Sequence, residues 1–308
     1  MVRINIGKNN MVLGNVYSII SDPPIKEDTL VSIKIVADSS CDLNENMEKE
    51  MGVALIPFSL HIGNSVYRDD EDLNVKDMLK EMAECPTSPK TACPSPSEFM
   101  KAFDGPESVF TVTISSALSG TYESAMLARK MFLENTEGKF IHVFDSLSAS
   151  IGETLISMKI FELAKKNCDD LQIVEKVNEY IKSMKTMFLL ESLDNLMKNG
   201  RLGKVKGKLA TLLSIKPVME ATEDGNIQMV ESVRGYRKAF MRFIEIIGEK
   251  GEKLEEKVIG IAHCNCLERA EEFKSELLKR YKFKDIVIVE TAGLSSVYAN
   301  QGGIIVAF

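Results

Sequence analysis

Serine and threonine residues gather where β-branched runs give way to helical ones. Ser39 and Ser40 follow SIKIVA (Ser32–Ala37). Ser115, Ser116, Ser119 and Thr121 sit in ISSALSGTYES after Val109–Ile114. Ser146, Ser148 and Ser150 sit in DSLSASIG after His142–Phe144. In an open parallel sheet the carboxyl ends of the strands converge on one edge, where ligands bind. The helices that follow aim their N-termini at the same edge, with free N–H groups and the positive end of the dipole. The pattern describes an anion site made of neutral donors. Each hydroxyl taken singly is equally well a helix cap; the clustering is what suggests a ligand.

A serine nucleophile would need a base in hydrogen-bond reach and a group to orient that base. Of the 3 histidines, His263 ends a strand pattern and could face a cleft, His142 lies inside a strand pattern as a packed residue, and His61 has no informative context. A hydrolase or acyltransferase using Ser119 or Ser116 with His263 therefore stands as an alternative. Cys264-x-Cys266 beside His263 lacks further matched ligands, and no HExxH or CxxC is present, so no metal is expected. GxGxxG, GxxxxGK[ST] and GxSxG are also missing, and Gly200, Gly203 and Gly207 lack phosphate-loop spacing. Self-contained nucleotide chemistry and a bound cofactor are not expected.

These residues need a scaffold of strands and helices. The spacing predicts a strand over Ser32–Ala37 and a helix near Asn44–Met51, with Asp38-Ser39-Ser40 as capping chemistry. A second strand is predicted over Val53–Leu60 and a helix over Val75–Glu84. Ser95 and Glu98 form a capping box over Pro96. Strands over Ser108–Ser115 and Lys139–Asp145 flank a helix over Tyr122–Leu133, and another helix begins near Ser150. This alternation implies an open, mostly parallel sheet covered on both faces. Further on, amphipathic stretches (Leu171–Met184, Tyr236–Ile247, Leu267–Tyr281) alternate with strand candidates at Met187–Leu190, Lys216–Ala221, Ile227–Val233, Val258–His263 and Ile286–Glu290. Glu223-Asp224-Gly225-Asn226 is a hairpin turn, because it supplies residues that tolerate positive φ. The expected fold is α/β: an N-terminal α/β domain over residues 33–161 and a C-terminal α+β domain with a mixed or antiparallel sheet over 162–308. Residues 1–32 read as a leader or disordered extension.

Length and charge exclude other classes. The 308 residues suffice for about two domains. Lys+Arg 38 against Asp+Glu 45 leaves a net charge of −7, dispersed, with no basic footprint for nucleic acid. Six cysteines in so long a chain read as reduced thiols in a cytoplasmic protein.

TACPS (Thr91–Ser95), ISSALSGTYESA (Ile114–Ala125), DSLSASIG (Asp145–Gly152) and NLMKNGRLGKVKGKLATLLSIKPV (Asn195–Val218) together resemble the DegV family, the fatty-acid-binding subunits of bacterial fatty-acid kinase. IVADSSCDL (Ile35–Leu43) matches the family's opening and IGIAHCNCLERAEE (Ile259–Glu272) its A-H segment. The resemblance implies a non-catalytic two-domain carrier with a ligand tunnel between its domains. Such a carrier holds a long-chain fatty acid such as palmitate, stearate or oleate. It presents the carboxylate to a separate kinase, which makes an acyl-phosphate for phospholipid synthesis. Transient membrane contact is left open, as is another amphiphile as ligand. The resemblance assigns the carboxylate to Thr91 and Ser119, with Ser116 nearby. It assigns Arg201, His263, Ser39 and Ser150 to a secondary pocket or to the phosphoryl and kinase contact. Three departures stand out: Ala92 and Cys93 where a second hydroxyl is usual, Asn199 for the first glycine before Arg201, and Gln301-Gly302-Gly303 without a proline.

Overall fold

Four short strands rich in β-branched and aromatic residues form a parallel sheet in the order β2-β1-β6-β7: β1 (Ile33–Asp38), β2 (Ala54–Ile56), β6 (Ser108–Thr113) and β7 (Ile141–Asp145). The structure, a computed structural model, describes residues 32–203 and 215–308. Most of the leader expected over 1–32, and residues 204–214 of the block Asn195–Val218, lie outside the described residues. The expected strand Val53–Leu60 is divided: β2 ends at Ile56, and β3 (Ser59–Ile62) joins a separate antiparallel sheet with β4 (Ser65–Arg68) and β5 (Lys90–Ala92). Pro57 lies at the break, and its missing N–H suits a change of partner.

The second large sheet is mixed, ordered β10-β9-β8-β13-β11-β12. Its strands are β8 (Thr186–Leu189), β9 (Ile215–Ala221), β10 (Ile227–Arg234), β11 (Val258–His263), β12 (Asp285–Glu290) and β13 (Ile304–Ala307). β11 and β12 are parallel; the other pairs are antiparallel. β13 lies between β8 and β11 and escapes the pattern reading, because IIVA is too short an apolar run to assign. The hairpin turn expected at 223–226 joins β9 to β10, with Gly225 at φ 71°.

Before β8 come α1 (Glu45–Met51), α2 (Val75–Glu84), α3 (Pro96–Ala102), α4 (Thr121–Leu133), α5 (Ile151–Lys165) and α6 (Asp170–Ser183). Beyond β8 come α7 (Asp194–Lys198), α8 (Tyr236–Lys250), α9 (Leu267–Leu278) and α10 (Gly293–Ala299). Local signals fix several ends. The Ser95 N–H donates to Glu98 Oε2 at 2.8 Å, closing the expected capping box of α3. α1 is capped by Asn44, whose Oδ1 accepts from the Asn46 and Met47 N–H groups at 3.1 and 3.0 Å. Asp38, Ser39 and Ser40 therefore have other work than the capping expected of them.

α5 ties the sheets together. Its residues from Ile151 to Ser157 are all buried, as a helix covered on every side must be. Ile156 and Ile160 pack with Phe110 and Phe144 of the parallel sheet, while Ile151 and Leu155 pack with Ala262 and Ala307 of the mixed one. The boundary expected after Phe161 thus falls inside a shared helix, and α6 also packs on the parallel sheet through Ile173 and Val177. Residues Val31–Phe308 form one compact unit. Among the described residues no helix is long and apolar enough to cross a membrane.

Candidate ligand-binding site

Side chains two apart on a strand share a face. On β8 and its continuation, Thr186, Phe188 and Leu190 line one wall of a slot that encloses about 840 Å³ between atoms, part of it open to solvent. The facing walls come from the strand-to-helix junctions of the parallel sheet, which supply Ser40, Ile114, Leu118, Ser119, Ser148, Ala149 and Ser150. Phe58, Leu196, Ile227, Leu294 and Ile305 add apolar surface. A strand rises roughly 3.3 Å per residue, so the four steps from Thr186 to Leu190, on β8 and its continuation, carry the slot over roughly 13 Å.

The polar groups are few and mostly neutral. Thr91 Oγ1 lies 2.9 Å from the hydroxyl of Tyr298, and the Arg201 guanidinium lies 5.9 Å from the centre of that ring. Arg201 Nε donates to the Leu118 carbonyl at 3.2 Å and Nη1 to the Asn199 carbonyl at 2.5 Å. Ser119 Oγ pairs with Thr121 Oγ1 at 2.8 Å. Thr91, Ser119, Arg201 and Tyr298 all border the slot, and Arg201 is its single charged lining residue among those described. An elongated apolar ligand with one anionic head would match this distribution of surface.

Of the residues singled out in the sequence, the slot collects Thr91, Ser119, Ser150 and Arg201, together with the junction serines Ser40 and Ser148. Ser39, Ser116 and His263 do not line it. Ser39 Oγ instead accepts the Phe58 N–H at 3.0 Å, tying β1 to the segment before β3. The Ser116 N–H donates to Asp145 Oδ1 at 3.1 Å. His263 is buried in β11 with Nδ1 accepting the Cys266 N–H at 3.4 Å, and burial pushes its imidazole below the ordinary value. A strand-end histidine points to whichever face its register dictates, and this register keeps it off the slot. The Ser–His pairing of the hydrolase alternative has no counterpart among the described contacts.

Sequence reading overlooked Tyr298 and Ser295, which reach the slot from α10. It also passes over Asp42, Asp69 and Glu153 and gives Asp38 only a capping role, although Asp38, Asp42 and Asp69 accept hydrogen bonds from the slot-lining residues Ser40, Ile114, Ser150 and Leu294. Asp38, Asp42 and Glu153 are fully buried, and Asp69 is 5% exposed. Asp38 accepts the Ser40 and Ile114 N–H groups at 2.9 and 2.8 Å, and Asp42 accepts from the Ser150 hydroxyl and, at 2.7 Å, the Ala292 N–H. Burial pushes Asp38 and Asp42 up to about 7 against the lowering effect of those bonds, and pushes Glu153 well above the usual carboxylate range. The DS and CD pairs of IVADSSCDL were the available signal, but they read equally well as caps. No group of His, Cys, Asp or Glu among the described residues is arranged to hold a metal.

The family model described as "Uncharacterised protein, DegV family" matches residues 32–308. The chain belongs to the DegV family. A DegV domain-containing protein of Streptococcus gordonii is 34% identical over 277 residues, covering 89% of this chain and 98% of its own. Among solved structures, a DegV family protein from Ruminococcus gnavus described with vaccenic acid superposes with a TM-score of 0.87 at 39% identity, covering 90% of this chain and 100% of that one. The Streptococcus pneumoniae fatty acid kinase (Fak) B3 protein loaded with linoleic acid superposes with a TM-score of 0.81 at 31% identity, over 90% and 99% of the two chains. The parallel and mixed sheets of this DegV chain thus belong to a fold shared with proteins described with vaccenic acid and with linoleic acid.

Proposed function

We propose that this DegV chain is a non-catalytic carrier that buries one long-chain fatty acid, such as palmitate, stearate or oleate, and presents its carboxylate to a separate fatty-acid kinase. The observation that carries the reading is the slot itself, apolar along its length and bordered by Thr91, Ser119 and, among the described residues, the one cation Arg201. Fatty acids named with the Ruminococcus and Streptococcus relatives support it. A tail of roughly 15 carbons gains about 12 kcal/mol gross, at about 0.8 kcal/mol per buried CH₂, before ordering costs. The head then needs only enough donors to set its register. Neutral hydroxyls from Thr91 and Ser119 do this while leaving a carboxylate oxygen free to attack the γ-phosphorus of ATP, with ADP leaving. A bidentate arginine would hold both oxygens. Arg201 stands ready for the charge of the arriving phosphoryl group.

This division of roles predicts a split between binding and turnover. Thr91→Val with Ser119→Ala should weaken palmitate binding on the order of 100-fold, since each hydrogen bond to a charged group contributes about 1.5–3 kcal/mol. Arg201→Ala should change affinity by less than about threefold, yet slow acyl-phosphate formation by a purified fatty-acid kinase with ATP at least about tenfold. Isothermal titration and a coupled ADP assay separate the two; equal loss of binding in both variants contradicts the assignment.

A further inference from the structure

The start of α10, one wall of the slot, is held by side chains more than 200 positions away along the chain. The Ala292 N–H donates to Asp42 Oδ1 at 2.7 Å, and the Gly293 and Leu294 N–H groups donate to Asp69 Oδ1 and Oδ2 at 2.7 and 2.8 Å. Asp42 follows β1 and Asp69 follows β4, so carboxylates from two separate loops meet three successive amides. Asp42 is fully buried and Asp69 nearly so. Both are fixed in turn: Asp42 Oδ2 accepts the Ser150 hydroxyl, and the Asp69 N–H donates to the Phe58 carbonyl at 2.9 Å. Ser150 and Phe58 themselves line the slot.

Gly293 shows how closely the parts fit. A Cβ at this position would lie 2.5 Å from Asp69 Oδ1 and Leu73 Cδ2 and 2.7 Å from Leu60 Cδ1, so a side chain here requires the Asp69 carboxylate, its leucine neighbours or the helix to shift. Within two turns of that seat α10 presents Leu294, Ser295, Tyr298 and Ala299 to the slot, and Tyr298 pairs with Thr91 at 2.9 Å. Seven residues rise only about 1.5 Å each, so a displacement of the helix start is carried directly to Tyr298.

We infer that Asp42 and Asp69 are positioning residues, a two-carboxylate clamp that sets the slot width and the placement of Tyr298 against the ligand head. The clamp binds nothing from outside; it acts through α10. It rests on the carrier reading above, because the wall it holds matters only if something occupies the slot.

The test compares full-length protein loaded with [1-¹³C]palmitate at a fixed interval below each variant's own melting temperature. In Asp69→Asn one of the two amides faces an NH₂ instead of an oxygen, and Gly293→Ala crowds the same carboxylate from the helix side of the contact. Both should release palmitate about tenfold faster, and both should shift the bound ¹³C-carboxyl resonance. Asp170→Asn is the control. It removes a half-buried carboxylate that accepts from Ser108 Oγ at 2.6 Å at the start of β6, away from the slot. It should destabilise the fold while leaving release rate and resonance at wild-type values. If Asp69→Asn does not fold, Gly293→Ala alone decides. Wild-type release and an unmoved resonance in the clamp variants overturn the clamp, as does an equal effect in Asp170→Asn. A wild-type protein that takes up no palmitate overturns the carrier reading and the clamp with it.

Discussion

Ala149→Phe should reduce palmitate affinity by up to about 10⁴-fold while leaving the protein folded. Ala149 is a half-buried residue on the slot lining, in the loop that leads into α5. A phenyl ring there takes space that a tail would fill. If it excludes about half of a 16-carbon chain, some eight methylenes at about 0.8 kcal/mol each are lost, or about 6 kcal/mol. The dependence on chain length is the sharper readout. In the wild type each added methylene from a 12- to a 16-carbon acid should tighten binding about fourfold, the same 0.8 kcal/mol expressed as an equilibrium constant. In Ala149→Phe that slope should flatten. Calorimetric titration across the series measures both. A wild-type affinity indifferent to chain length would mean that the head group, and not the apolar wall, holds the ligand.

Thermal stability should fall as pH rises from 5.5 to 8, the reverse of ordinary carboxylate behaviour. Asp38 and Asp42 are pushed up to about 7 by burial, from an ordinary value of 3.8. Asp38 faces Glu153 and Asp69, and Asp42 faces Ser150, Ser295 and Asp69, so no cation offsets the burial. Between 3.8 and about 7 the folded protein holds protons that the unfolded chain has released. The stabilisation is complete below 3.8, is lost as pH climbs through about 7, and then levels off. Each group contributes at most about 1.4 kcal/mol per pH unit within that window. Other acids titrate the opposite way: hydrogen bonds from Tyr67 and Ser65 lower Glu81, while at Glu191 burial, which raises it, is outweighed by Lys216 and Arg269. Their loss is confined to lower pH, so pH 5.5 stays clear of it. A melting temperature roughly 5–10 °C higher at pH 5.5 than at pH 8 is expected. Asp42→Asn, whose amide oxygen can keep the Ala292 N–H while its NH₂ meets the Ser150 oxygen, should reduce the difference by removing one of the two titrating groups. A melting temperature that climbs with pH in the wild type contradicts this account.

Much of the scaffold was legible because its signals are local. The strand at Ile33–Asp38, the hairpin around Gly225 and the capping box at Ser95 each depend on a few neighbouring residues. The junction serines also converged as the parallel pairing requires, since Ser40, Ser119 and Ser150 share one slot. What stayed hidden depends on distance along the chain. β13 is defined by pairing with β8 and β11, not by its own four residues. Tyr298 meets Thr91 across 207 positions, and Ala292 meets Asp42 across 250. No pattern within a helix announces such partners. His263 shows the converse: a strand-end histidine is conspicuous in sequence, yet strand register decided which face received it.

Native mass spectrometry of the protein purified from a bacterial host, followed by extraction and mass analysis of whatever it carries, tests the central claim most directly. The account predicts one free long-chain acid per chain, or full uptake of one oleate or palmitate by protein that arrives empty. Protein that is lipid-free as isolated and stays so after incubation with either acid contradicts it.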